Sequence, residues 1–225
     1  MAVTAAVLAG IWFLVAFALR IAIQVRRHDD TGVRANAGPP LSPGWWARLL
    51  FTTSLVAVAV GVILLMLDVL GPVTALDNPA IATAGLVLAV VGIVLTFWAQ
   101  LAMGASWRIG VDPGERTALV TDGPFAVVRN PIFSTMGLTA LGLTLMAPTV
   151  VGLAALVAMV VALEIQVRAV EEPYLRSAHG AAFDEYAAHT GRFVPRASSL
   201  NGRRAALPGS PRPAGPGSRG RSAPR

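Results

Sequence analysis

Two groups of polar residues border apolar runs of membrane-spanning character, and their side-chain types suit ligand binding. The first is the stretch 117–133, TALVTDGPFAVVRNPIF, in which Arg129 and Asn130 immediately precede an apolar run. Pro131 suits the first turn of a helix, where its missing N–H costs nothing. Arg129 and the free amides of that helix would then converge at one mouth that can receive an anionic group. The alternative is a positively charged anchor beside a helix start.

The second group follows the last apolar run and contains Glu164, Arg168, Glu171 and Glu172. These positions share one helical face by the i, i+3, i+4 rule, and ionisable groups at membrane depth generally mark a site. An ordinary i, i+4 pair at a solvated helix end is the alternative. Pro173 disfavours helical φ/ψ at Glu172, which predicts that the glutamates end the helix.

The composition indicates an integral membrane protein. Hydrophobic residues make up 55% of the 225 and charged residues 13%, about half the charged share of a soluble domain. The net charge of +6 arises from arginines in loops and a tail, which argues against a nucleic-acid-binding face. Cysteine is absent and the three histidines are scattered, which argues against a metal site.

Hydropathy predicts five transmembrane helices. The apolar runs are residues 2–23, 49–70, 80–103, 132–146 and 150–163. The first three reach the roughly 20 residues that a spanning helix needs. The last two have only about 15 residues, or about 22 Å of helix, and predict a short hairpin that thins the bilayer locally. In the third run, Gly85, Ala89 and Gly92 form a small-residue stripe suited to close helix packing.

The distribution of arginine sets the predicted orientation. With the N-terminus outside, every arginine falls on the cytoplasmic side, as the positive-inside rule requires. The predicted fold is an all-α protein of the inner or plasma membrane with a cytoplasmic C-terminal pocket. It divides into three transmembrane helices (1–103), a pocket region that includes the hairpin (104–195), and a tail rich in Arg, Pro, Gly and Ser (196–225) that is predicted to be disordered.

The order of short motifs between residues 119 and 195 resembles that of a membrane enzyme family. The motifs are LVTDGPFAVVRNP, an apolar hairpin, EEPYL, HGAAFDEY and RFVP. Together they are similar to the signature of the isoprenylcysteine carboxyl methyltransferase family, in a bacterial-type member, and of its phospholipid N-methyltransferase relatives. The resemblance implies an S-adenosylmethionine-dependent methyltransferase without metal or nucleic acid. Its lipophilic acceptor would enter from the bilayer.

The resemblance also implies roles for individual residues. Cofactor contacts are implied for Thr117, Ala118, Leu119, Val120, Phe125, Asn130, Pro131, Phe133, Glu171 and Glu172. Arg168 and Arg129 are the candidate catalytic residues: Arg168 would hold the acceptor, and Arg129 would shape the cofactor mouth. Asn130 replaces the family's histidine, so it keeps hydrogen bonding but not proton transfer. Phe125 and Phe133 replace tyrosines and lose the hydroxyl groups.

The identity of the acceptor is left open. A carboxylate, as in isoprenylcysteine, is already ionised and needs only positioning, and the absence of histidine from the pocket favours it. An amine of a phospholipid or small lipid would need Glu171 or Glu172 as a base. Two non-enzymatic alternatives are a transporter and a non-catalytic protein that keeps the fold. A transporter is disfavoured because the sequence shows no internal repeat.

Overall fold

The computed structural model describes residues 1–34, 38–112 and 114–196, and the regular structure in these ranges is helical. Within them the chain forms no strand, only the isolated parallel bridges Val33–Ile109 and Val128–Gly191. The main helices are α1 (Ala2–His28), α2 (Pro43–Met66), α3 (Pro79–Ala102), α4 (Pro131–Met146), α5 (Val150–His179) and α6 (Ala181–His189). Residues 197–225 of the predicted disordered tail lie outside the described residues.

Four of these helices, α1, α2, α3 and α5, are long and apolar enough to cross a membrane. This finding confirms the predicted all-helical membrane protein. The fifth apolar helix, α4, has only 16 residues. Helix α3 packs along α4, and α2 packs along α5, so that two helix pairs build most of the bundle.

The helices begin where the sequence supplies caps and prolines. The side chain of Ser42 accepts the amide of Trp45 at the start of α2, and that of Thr149 accepts the amide of Gly152 at the start of α5. Proline occupies the first turn of α2, α3 and α4. The backbone N–H that proline lacks has no intrahelical partner at this position, so the helix loses no hydrogen bond. Asn130 therefore lies at the start of α4, as the sequence predicts.

The stripe of small residues on α3 brings α4 unusually close. A Cβ on Gly85 would lie 2.7 Å from the carbonyl oxygen of Gly142, and one on Gly92 would lie 2.8 Å from the amide nitrogen of Thr139. Any larger side chain at these positions would have to push α4 away. The predicted role of this stripe in packing is confirmed.

The prediction that Pro173 ends the helix at Glu172 is wrong. Glu172 has φ −63° and ψ −41°, and α5 continues to His179 through a π-helical turn at Gln166–Glu171. In a π turn each backbone N–H bonds to the carbonyl five residues earlier instead of four. This change of hydrogen-bond partner lets the helix continue although Pro173 has no backbone N–H to donate. The second arm of the predicted short hairpin is therefore a 30-residue helix.

Buried polar side chains of α1 and α3 join the two helices and the segment that follows α3. Arg20 is 2% exposed, lies 4.5 Å from the ring centre of Trp107, and donates a hydrogen bond to the carbonyl of Gly104 at 2.9 Å. The amide of Gln100 donates to the carbonyl of Ala16 at 2.8 Å, inside a second π turn. These bonds hold the C-terminal end of α3 and the residues that follow it in a fixed position against α1.

Candidate functional site

A cavity of about 630 Å³ lies between α1, α2, the end of α3, the start of α4 and the glutamate turn of α5. Residues 106–112, 115 and 117–120 complete its wall, together with two aromatic residues of α6, Phe183 and Tyr186. Its volume falls within the range of roughly 300–1,000 Å³ that is typical of small-molecule sites. One end is built from charged residues and the other from apolar helix faces.

The cavity gathers almost the whole predicted site. The predicted residues that line it are Thr117, Ala118, Leu119, Val120, Phe125, Arg129, Asn130, Phe133, Glu171 and Glu172. Pro131 is buried at the start of α4 but is not part of the lining, and Arg168 also lies outside it. Residues from three separate parts of the sequence thus meet around one space.

Short backbone contacts bring the stretch before α4 against the chain that follows α6. The amide of Arg129 donates to the carbonyl of Gly191 at 2.7 Å, and that of Asn130 donates to the carbonyl of Arg192 at 3.0 Å. Gly123, at φ +57°, supplies the turn that precedes them. The segment 191–193 therefore holds the start of α4 in place beside the cavity.

Glu172 is the centre of an arginine–carboxylate triad. Its Oε1 accepts from Arg129 Nη2 at 2.8 Å and from Arg192 Nε at 2.7 Å, and its Oε2 accepts from Arg192 Nη2 at 2.7 Å. The Glu172 and Arg129 side chains are each 10% exposed. The hydrogen bonds from Glu172 raise the pKa of Arg192. The triad links α5, the start of α4 and the chain beyond α6.

Arg129 also donates hydrogen bonds to backbone carbonyls at the C-terminal end of α6. Its Nη1 donates to the carbonyl of Ala187 at 3.0 Å and also to that of Thr190. The guanidinium thus lines the cavity while it binds protein groups, and its predicted role at the mouth of a cofactor site stays a prediction. Sequence reasoning assigned no role to Arg192, although the motif RFVP that contains it was the available signal.

Glu171, in contrast, presents its carboxylate to the cavity. The side-chain amide of Gln166 donates to its Oε1 at 3.3 Å. Within the described residues no arginine forms an ion pair with it, whereas Glu172 has two. The two adjacent glutamates therefore have different environments, and Glu171 is the one able to take a cationic or hydroxyl group of a ligand.

Both tyrosines of the chain line the cavity and donate to backbone carbonyls. Tyr174 donates to Glu115 at 2.5 Å, and Tyr186 donates to Phe125 at 2.6 Å. Burial raises the pKa of Tyr186, so its hydroxyl stays protonated and the bond persists. The amide of Asn130 likewise donates to the carbonyl of Arg192, at 3.2 Å. These groups fix the shape of the wall.

A four-member ion cluster closes the charged end of the cavity. Arg34 lies 2.8 Å from Asp30 and donates to Glu115 at 2.7 Å, while Arg108 donates to Glu115 at 3.0 Å. Hydrogen bonds from Arg34 hold the pKa of Asp30 and that of Glu115 below their usual ranges. The cluster ties the loop after α1 to the segment that leads into residues 117–120, which line the cavity.

This ion cluster predicts a loss of stability in acid. The ordinary pKa values are 3.8 for Asp30 and 4.5 for Glu115, and both are lower in the folded chain. Their stabilising contribution is therefore fully present above those values, and it is lost as the pH falls below them and through the lower pKa values of the folded chain. We expect the melting temperature in detergent to fall as the pH is lowered from 5 towards 3. In the Asp30→Asn, Glu115→Gln double variant that fall should be smaller; an equal fall would contradict the assignment.

Arg168 lies on an exposed part of α5, as expected if it forms an ordinary ion pair at a solvated helix end. It forms an i, i+4 ion pair with Glu164, and the two side chains are 59% and 38% exposed. The structure does not bring it to the cavity. The π turn at Gln166–Glu171 rotates the helix between Arg168 and the glutamates, so a face predicted from regular α-helical spacing is not kept.

We therefore expect Arg168→Lys to leave cofactor binding, methyl transfer and stability nearly unchanged. An exposed i, i+4 pair contributes only about 0.3–0.5 kcal/mol, and lysine preserves most of it. Titration calorimetry, a methyl-transfer assay and thermal unfolding check this result. A strong loss of methyl transfer with intact cofactor affinity would instead restore Arg168 as the residue that holds an acceptor carboxylate.

One family model matches part of this chain. Residues 80–182 match the family model described as Phospholipid methyltransferase. Among curated proteins no significant match is found. The matched segment runs from the start of α3 to the start of α6 and includes every predicted site residue, but not Arg192. The match confirms the resemblance to the membrane methyltransferases and supports a methyltransferase that works in a membrane.

Proposed function

We propose that this chain, which matches the phospholipid methyltransferase family over residues 80–182, is an S-adenosylmethionine-dependent methyltransferase acting on a lipophilic acceptor. The observation that supports this most is the meeting of the family-signature residues around one cavity of about 630 Å³. That cavity is charged at one end and apolar at the other, which suits a polar cofactor and a lipid acceptor in contact with each other.

The cavity residues fit the chemical groups of the cofactor. When bound, S-adenosylmethionine supplies a methyl group on a positively charged sulfur. Glu171 presents a carboxylate suited to an ammonium or ribose hydroxyl group. The strip 117–120 has no regular secondary structure, so its backbone can offer donors and acceptors to a ligand. Phe125 and Phe133 offer aromatic surface suited to a purine ring.

The apolar end of the cavity supports an acceptor that arrives from the bilayer. Its wall includes Phe51 and Leu55 of α2, Met136 of α4 and Leu163 of α5. A carboxylate acceptor, such as an isoprenylcysteine-like lipid, needs no base and only positioning. An amine must lose a proton before its nitrogen can attack, and Glu171 is placed to hold that proton. We retain the carboxylate as the first acceptor class and the amine as the alternative.

We further propose a cytoplasmic position for the cavity and five membrane crossings. The charged end carries Arg34, Arg48, Arg108 and Arg129, which supports a cytoplasmic position by the positive-inside rule. The 16 residues of α4 give about 24 Å of helix, which can cross a locally thinned bilayer. This arrangement places the N-terminus outside.

Titration calorimetry with S-adenosylmethionine in detergent tests the proposed function. We expect saturable binding that S-adenosylhomocysteine displaces, followed by methyl transfer to some members of a panel of lipid carboxylates and lipid amines. Transfer to carboxylates alone or to amines alone would fix the acceptor class. A folded protein that binds no cofactor would refute the proposal and favour a transporter or a non-catalytic protein.

A further inference from the structure

The π turn of α5 places two polar side chains next to each other at the cavity. Gln166 and Glu171 are the first and last residues of this turn, and both line the cavity. The side-chain amide of Gln166 donates to Oε1 of Glu171 at 3.3 Å. Among the residues that the structure describes, no other group donates to this carboxylate, so its Oε2 is left without a protein partner.

Regular α-helical geometry does not favour this contact. An α-helix turns by about 100° per residue, so residues five apart lie about 140° from each other around its axis. In a π turn the backbone hydrogen bonds join residues five apart and bring them close together on one side of the helix. The contact between Gln166 and Glu171 is therefore a consequence of the π turn.

The helix bundle holds the π turn in place. Val167, the second residue of the turn, is completely buried, and the turn packs against α2. Single π turns inside α-helices are frequent at functional sites. A turn that is fixed by packing also fixes the amide of Gln166 relative to the carboxylate of Glu171, which is the kind of support that a precise binding group needs.

An amide can orient a carboxylate without neutralising it. The amide nitrogen of glutamine donates a hydrogen bond but carries no net charge. The neighbouring Glu172 shows the contrast, because its charge is balanced by two arginines of the protein. The charge of Glu171 stays available to a cationic or hydroxyl group of a ligand, while one of its oxygens is held in a defined direction.

We propose that Gln166 is a positioning residue, which holds Oε1 of Glu171 so that Oε2 is presented to the cofactor. This inference rests on the proposed function. Gln166 acts through Glu171 and does not itself contact the cofactor. Without the amide, the carboxylate of Glu171 has to be ordered when the cofactor binds, and the lost side-chain entropy lowers the affinity.

Gln166→Met tests this role, because methionine has a similar length and lacks the amide. We expect the Kd for S-adenosylmethionine in titration calorimetry to rise about twofold to tenfold, the size expected for one side chain that must be ordered on binding. Thermal unfolding should change little. Gln166→Asn keeps an amide on a side chain one methylene shorter and should raise the Kd similarly, which preserves the test if Gln166→Met does not fold.

A double-mutant cycle separates positioning from direct contact or general distortion of the site. In a Glu171→Ala background, Gln166→Met should cause no further rise in Kd, because Gln166 acts only through the carboxylate. Ser177→Ala is the matched control: Ser177 lies on the same helix, donates to the carbonyl of Tyr174 at 2.8 Å and does not line the cavity. It should leave the Kd unchanged.

An unchanged Kd in both Gln166 variants, or an equal rise with and without Glu171, would overturn the positioning role. Titration of the unmodified protein with S-adenosylmethionine separates this failure from that of the proposed function. A protein that binds the cofactor and is insensitive at Gln166 loses only the positioning role. A folded protein that binds no cofactor refutes the proposed function and this inference with it.

Discussion

Replacing Glu172 by glutamine is expected to destabilise the protein strongly, whether or not cofactor is present. The substitution leaves Arg129, whose side chain is 10% exposed, and Arg192 without their carboxylate. Removing one partner of a buried ion pair costs about 3–5 kcal/mol. Because Arg192 is 26% exposed, we expect the lower end of that range, about 3 kcal/mol. Thermal unfolding of the cofactor-free protein in detergent measures the effect.

The control for this prediction is Glu185→Gln on α6, where the side chain is exposed and a neutral substitution should change stability little. A second test uses the partner: Arg192→Gln should also destabilise, and the double variant should lose less than the two single losses combined. Additive losses would show that Glu172 and Arg192 do not act as one unit. A stable Glu172→Gln protein with poor cofactor affinity would instead place Glu172 among the cofactor ligands.

Replacing Glu171 by glutamine is expected to weaken cofactor binding while leaving the stability of the protein almost unchanged. Its carboxylate faces the cavity with Gln166 as its hydrogen-bonding partner, so little of the fold depends on its charge. If it binds the cofactor's ammonium or ribose, the variant loses a charge-assisted hydrogen bond of about 1.5–3 kcal/mol, or roughly tenfold to a hundredfold in affinity. Titration calorimetry measures this loss, and thermal unfolding should show almost no change.

Glu164→Gln is the matched control on the same helix, because Glu164 pairs with Arg168 outside the cavity. It should leave cofactor affinity unchanged. Unchanged affinity in Glu171→Gln as well would remove Glu171 from the proposed cofactor site. The contrast between Glu171 and Glu172 is a stringent test, since adjacent residues of the same type are assigned different roles.

The sequence by itself determined the membrane class and most helix positions, and it named residues that prove to line one cavity. Apolar runs report burial in lipid directly, and prolines and caps report helix starts, because both are local properties of the chain. The motif order placed Thr117 to Val120, Asn130 and Glu171 in one site without any knowledge of their contacts. The cavity confirms that these positions lie together.

Only the tertiary structure decided which side of the last helix faces the cavity. Regular α-helical spacing put Arg168 beside the glutamates, but the π turn at Gln166–Glu171 changes the rotation of the helix there. The same turn carries the helix past Pro173, which the local rule took as its end. A π turn has no simple sequence pattern, because it depends on how the neighbouring helices pack.

The different environments of Glu171 and Glu172 could not be predicted from the sequence either. The partner of Glu172 that sequence reasoning missed, Arg192, lies 20 residues away in the chain, and the pair is formed only after α6 folds back over the start of α4. Periodicity and motif spacing describe residues within one element, whereas ion pairing depends on distances between elements. The sequence therefore named most of the predicted residues that meet around the cavity, and the packing of the helices decided which of them form ion pairs within the protein.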